Sequence, residues 1–107
     1  MRKIEKEMYA AFCGGYNWHK SNTRVKVLSY SDGTKSVYVF LFGNLIAEKI
    51  INNAKGIYSK RFFTSGFDTA TTCSRLKALG ARCSRKGGVI HFVDTGEAVQ
   101  SYHTPLV

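Results

Sequence analysis

The tetrapeptide Ser31-Asp32-Gly33-Thr34 constrains the fold more than any other stretch of this chain. Asp-Gly is a preferred pair for a two-residue hairpin, whose turn residues need positive φ. Here it stands between two runs that read as strands. Residues 24–30, RVKVLSY, alternate before it. SVYVFLF, after it, is apolar on both faces, which predicts a central strand covered on both sides. Gly43-Asn44 predicts a second turn. LIAEKII, residues 45–51, is rich in β-branched residues and predicts a third strand, with a short helix as the alternative. Residues 52–56 turn again, and IYSKRFF, residues 57–63, alternates as a fourth strand.

Two helices flank these strands. Over residues 2–13, Ile4, Met8, Ala11 and Phe12 fall on one helical face, and Gly14-Gly15 ends the segment. An aromatic and polar loop, YNWHKSNT, follows. Asp68 is the expected N-cap of a second helix that runs to about Leu79, with Cys73, Leu76 and Leu79 toward the core. RCS and VIHFV flank RKGG as a glycine hairpin, and the tail from Gly96 is expected to fray. The order α-β-β-β-β-α-β-β predicts an α+β fold: a mostly antiparallel sheet with two helices packed on one face. With 107 residues and no linker or repeat, residues 1–107 are expected to form a single small basic domain.

Charge narrows the partners. Sixteen bases against seven acids leave a net charge of +9, which favours fast, salt-sensitive association with polyanions. A nucleic acid or an acidic host protein is the expected partner. No membrane is expected: the longest apolar run, Val37 to Phe42, is too short for a bilayer, and MRKIEKEM lacks the apolar region of a signal peptide. Three cysteines, none in a C-x-x-C pair, suit a reducing cytosol.

The densest cationic stretch is TTCSRLKALGARCSRKGG, residues 71–88. It holds Arg75, Lys77, Arg82, Arg85 and Lys86, and no acid lies between Thr69 and Val93. A helix N-terminus attracts anions, and Thr71 and Thr72 add hydroxyl donors there. These bases either grip an anion or form the wet side of a packed helix. Tyr16, Trp18 and Lys20 form a second candidate group, suited to base stacking and phosphate pairing. Their alternative is a lid over the core. Basic hairpin tips at Lys35 and at Arg85 and Lys86 are suited to a nucleic-acid backbone, or equally to keeping strand ends from pairing with other chains.

Catalytic chemistry finds little support. Asp94-Thr95-Gly96 matches the short aspartic-protease signature, but only residues 97–107 follow it, and a turn explains it. His19, His91 and Lys20 are the residue types of a small RNase, which needs one group to take the 2′-OH proton and one to protonate the leaving oxygen. The acids are scattered singly, no phosphate-binding glycine motif occurs, and the Cys and His spacings match no zinc pattern. No catalytic residue, metal or cofactor is therefore expected.

T-T-C-S-R-L-K-A-L-G, residues 71–80, resembles the T-T-x-S-R-L-x-A-L helix of small accessory proteins of tailed bacteriophages. The opening MRKIEKEMYAAF, NW-x-K-x-NT-x-V at 17–25 and F-G-N-L-I-A at 42–47 are similar to other segments of those proteins. Cys73 and the extended RCSRKGG hairpin depart from the pattern. The resemblance implies a phage-encoded protein acting in the cytoplasm of the bacterial host, and it assigns no catalytic residue. Charge and resemblance together lead to the expectation of nucleic-acid binding through phosphate contacts with little sequence specificity. The alternative is a protein-interaction inhibitor of a host defence system or host enzyme, anti-CRISPR-like in action, with Tyr30, Tyr38, Phe62 and Phe63 as anchors if exposed. A small RNase is a further alternative.

Overall fold

A computed structural model describes residues 2–100. Helix α1 spans Lys3–Gly14, and the strands β1 Trp18–Lys20, β2 Thr23–Ser29, β3 Lys35–Leu41, β4 Asn44–Asn52 and β5 Ile57–Phe62 follow it. Helix α2, Ala70–Ala78, precedes a hairpin of β6, Cys83–Lys86, and β7, Val89–Phe92. The first five strands form one antiparallel meander in chain order, and β6 pairs with β7 in a second, two-stranded sheet. This is the α+β fold expected, with one strand more. The extra strand is β1, within the segment read as a loop. Its three residues pair with Thr23–Val25 and are too few to show a period.

Register makes the core. Val25 opposes Val39, which opposes Ala47, and Val27 opposes Val37 on the same face. Met8, Ala11 and Phe12 of α1 and Cys73, Leu76 and Leu79 around α2 pack against those residues in one continuous cluster. The segment 45–51 is strand, not helix. Leu45 to Lys49 are buried without a break, Ile46 and Ala47 both join the core beside the register irregularity between Val39 and Phe40, and β-branched side chains suit strand geometry.

Three expectations need correction. The turn between β3 and β4 is centred on Phe42-Gly43, with φ of 52° and 79°, and Asn44 already belongs to β4. Thr69, not Asp68, caps α2: its hydroxyl accepts the backbone N–H of Thr72 at 3.1 Å, while the Asp68 carboxylate accepts that of Ile90. Strand β3 is central but covered on one side only. Its inward residues Val37, Val39 and Leu41 are buried, whereas Tyr38 and Phe40 are half-buried on the outer face. Among the described residues, neither helix lies over them. The long side chains of cross-strand neighbours, Lys26 beside Tyr38 and Arg24 beside Phe40, flank these rings instead.

The tail is held as far as Gln100. Val99 donates its N–H to Ile90 O at 2.8 Å, and Gln100 O accepts from Thr64 at 2.9 Å. Residues 101–107, part of the tail expected to fray, lie outside the described residues.

Helix α1 has no base in its last turn, so its terminal carbonyls are met from the sheet. Lys49 donates to Phe12 O at 2.5 Å and lies 4.8 Å from the centre of the Phe12 ring; Lys35 donates to Gly15 O at 3.4 Å. Burial pulls the Lys49 ammonium below its ordinary pKa, and the nearby charges of Lys60 and Lys35 add to that.

Candidate nucleic-acid interface

Arg75 sets the arrangement of the site, though not at the surface. It is 3% exposed. Its guanidinium donates to Glu5 Oε2 at 2.8 Å, Thr23 Oγ1 at 3.3 Å and Asn22 Oδ1 at 3.5 Å. One side chain therefore joins α2, α1 and the start of β2. Burial pushes the Glu5 carboxyl up, but hydrogen bonds from Ser74, Arg75 and the Arg2 backbone, with the Arg75 charge, outweigh it and leave the pKa lowered. The expectation that Arg75 grips a phosphate is corrected accordingly. Its partner acid lies 70 residues away in sequence, outside the acid-free stretch.

The other expected residues divide. Thr72 is buried and Thr71 half-buried near the N-terminus of α2. Lys77, Arg82, Arg85 and Lys86 are exposed. Arg85 donates to Asp68 O at 2.7 Å, and Arg82 lies 3.5 Å from Asp94 Oδ1. Trp18 is half-buried against the core, which fits the lid reading, while Tyr16 is exposed and Lys20 pairs with Glu7 at 3.2 Å. Of the possible protein anchors, Tyr30 is exposed, Tyr38 and Phe62 are half-buried and Phe63 is buried.

Beside Asn22 and Thr23 the outer face opens into a depression of about 560 Å³. His19, Arg24, Lys26, Phe40 and Phe42 line its other sides, and no acid lines it. Sequence reading missed Arg24, Lys26, Phe40 and Phe42 as site residues. The available signal was the R-V-K spacing: two bases at i and i+2 of a strand share a face. Residue alternation had already assigned this strand.

Phe42 is the unusual residue. It is 71% exposed and left-handed, a conformation costing roughly 1–2 kcal/mol for a residue with a side chain. Asn22 O accepts its backbone N–H at 2.8 Å, and Asn44 Nδ2 approaches its carbonyl at 3.4 Å. Its backbone is thus held from two sides while its ring faces solvent. The ring also borders a second depression, of about 350 Å³, lined by Phe67, Asn44 and the threonines at the start of α2.

The chemistry rejected from sequence gains no geometry. His19 is on β1, and His91 is on β7 in the other sheet, with its Nδ1 buried and unpartnered. Asp94-Thr95-Gly96 is a turn: Gly96 has a φ of 75°, and Thr95 Oγ1 accepts the Glu97 N–H. Burial and the adjacent Cys73 push the Cys83 thiol up to about 11, so it is a poor nucleophile. Among the described residues, no three His, Cys, Asp or Glu side chains are grouped to hold a metal ion, and no helix is long and apolar enough to cross a membrane.

Residues 1–101 match the family described as Kyanoviridae Gp96 protein. The chain belongs to that family. It is a family of phage proteins, which agrees with the phage resemblance read from the sequence. No curated protein and no solved structure matches the chain. The family name describes no chemistry, so function has to be read from the surface.

Proposed function

We propose that this phage protein binds nucleic acid through phosphate contacts with little sequence specificity. Segregation of charge carries the reading. Five of the seven acids are each paired with one base: Glu5 with Arg75, Glu7 with Lys20, Asp32 with Lys55, Glu48 with Arg61 and Asp94 with Arg82. Arg24, Lys26, Lys77 and Lys86 have no ion pair among the described residues. Uncompensated like charge destabilises a compact fold by self-repulsion, and a polyanion relieves it. Phosphates are contacted by such bases without regard to sequence, and among the described residues both helices are packed against the sheet.

Fluorescence anisotropy of labelled duplex DNA, single-stranded DNA and RNA over a salt series tests this. The expected result is binding whose log–log salt slope is about 0.9 per duplex phosphate contact and about 0.7 per single-strand contact. Replacing Lys77, Arg82, Arg85 and Lys86 together by Ala is expected to flatten that slope. Absence of binding at low salt overturns the reading.

An inhibitory contact with an acidic host protein is the second reading. Exposed Ile57 and Tyr58 on the edge strand β5 favour it, because an edge strand offers unpaired backbone groups beside an aromatic anchor. The outcome expected of that reading is capture of a host protein that Tyr58→Ala abolishes.

A further inference from the structure

We infer that the outer face of the five-stranded sheet is a single-strand platform, with Phe42 as the stacking residue for an unpaired base. This rests on the nucleic-acid reading above and narrows it to one class of ligand and one face.

Three observations converge on Phe42. Its ring is 71% exposed at the end of a hairpin, and its backbone has a φ of 52°, which bulky residues avoid. Glycine or asparagine suits that position better, so local folding preference does not account for phenylalanine. Hydrogen bonds to Asn22 and from Asn44 hold the backbone, so the point from which the ring projects is fixed. A backbone anchored before binding leaves only the two side-chain torsions of the ring to be ordered when a base stacks on it.

The surroundings suit a strand of phosphates and bases. Arg24 and Lys26 project from the same face of β2 on one side of the ring, with His19 beside them on β1. Phe40 stands in register with Arg24, and Tyr38 with Lys26. Bases and aromatic rings thus stand side by side on β2 and β3, the pattern that tracks a backbone while stacking successive bases, and the acid that follows on β4, Glu48, is taken up by Arg61. Duplex DNA keeps its bases stacked inside and offers no free base face to Phe42. A protein partner would use the ring too, but it would need acids opposite Arg24 and Lys26; the depression itself supplies none.

The Ser21-Asn22 turn forms one wall of the depression, and Arg75 supports it from below through Asn22 and Thr23. Arg75 is a positioning residue here, acting through those two side chains.

Phe42→Asn tests the proposal cleanly. Asn-Gly suits a turn with two left-handed residues, so the variant is expected to melt no lower than the wild type. Anisotropy is measured with a labelled oligothymidylate of about 12 nucleotides and with a duplex of the same length. The proposal predicts that the wild type prefers the single strand. It also predicts that Phe42→Asn loses about 5- to 150-fold in single-strand affinity while duplex affinity changes less than about 2-fold. If Phe42→Asn binds the oligothymidylate as the wild type does, while the Lys77, Arg82, Arg85 and Lys86 variant loses it, the platform is overturned and the general nucleic-acid reading stands. If the wild type binds neither probe at low salt, both fall. Binding of neither probe together with Phe42-dependent capture of a host protein overturns both in favour of a protein partner.

Discussion

The two faces of the five-stranded sheet put many of their polar and basic groups to different uses. On the inner face, Thr23 helps hold the Arg75 guanidinium, and Lys49 meets a helix carbonyl. On the outer face, Arg24 and Lys26 have no ion pair among the described residues, and Tyr38, Phe40 and Phe42 remain partly or largely open. Strand β2 contributes to both sets, Thr23 inward and Arg24 and Lys26 outward, through the alternation of its side chains. A base is therefore structural or available according to whether an acid or a carbonyl stands opposite it, as Glu48 does for Arg61 on the outer face, not according to how many bases surround it.

The largest effect expected breaks the inner face. Arg75→Ala leaves the Glu5 carboxylate buried without its main partner, which costs about 3–5 kcal/mol. Urea unfolding followed through Trp18 measures it, and a midpoint shift of that size is the outcome expected. If Arg75 were instead a surface phosphate ligand, stability would barely move.

Acid sharpens the same point. The folded pKa of Glu5 is lowered, so its stabilising contribution is present above the ordinary carboxylate value and is lost as pH falls through the lowered one. The exposed Asp32, pulled down to about 2 by the backbone and hydroxyl of Thr34 and then by Lys55, adds to the same acid limb. Glu5→Gln is expected to flatten stability between about pH 5 and pH 2, measured as urea midpoints across that range.

Changing the outer face has a smaller and different effect. Arg24→Ala with Lys26→Ala is expected to leave stability within about 0.5 kcal/mol. The same pair is expected to reduce the single-strand salt slope by about 0.7 for each phosphate that is no longer neutralised. Phe42→Asn is expected to change stability in the opposite sense, by a gain of up to about 1 kcal/mol from relief of the left-handed turn, read as a slightly higher Tm.

Much of the fold was legible because turn chemistry is local. Asp32-Gly33 and Gly87-Gly88 mark hairpins, and Gly15, with a φ of 68°, closes α1 where the glycine pair ended its pattern. Strand β1 was not legible, since three residues whose neighbours are Asn and Ser carry no period of their own. The site was less legible than the fold. Arg75 sits in an acid-free run, and nothing nearby in sequence discloses that Glu5 and Ser74 together surround its end of the helix. Phe42 was read as the end of an apolar strand because a ring next to glycine resembles core more than it resembles an exposed turn. Its left-handed φ is a property of register, which composition does not contain.

The ion pair between Glu5 and Arg75 has a consequence for the order in which the protein is made. The ribosome releases α1 first, yet its buried carboxylate waits for a residue 70 positions later. At ordinary synthesis speeds of about 5–20 residues per second, that interval is roughly 4–14 seconds. Lys35 and Lys49, which meet the far end of the helix, arrive in between. Helix α1 is thus synthesised well before the residues that complete it, and strands β1 to β5 are made before the helix is held at both ends.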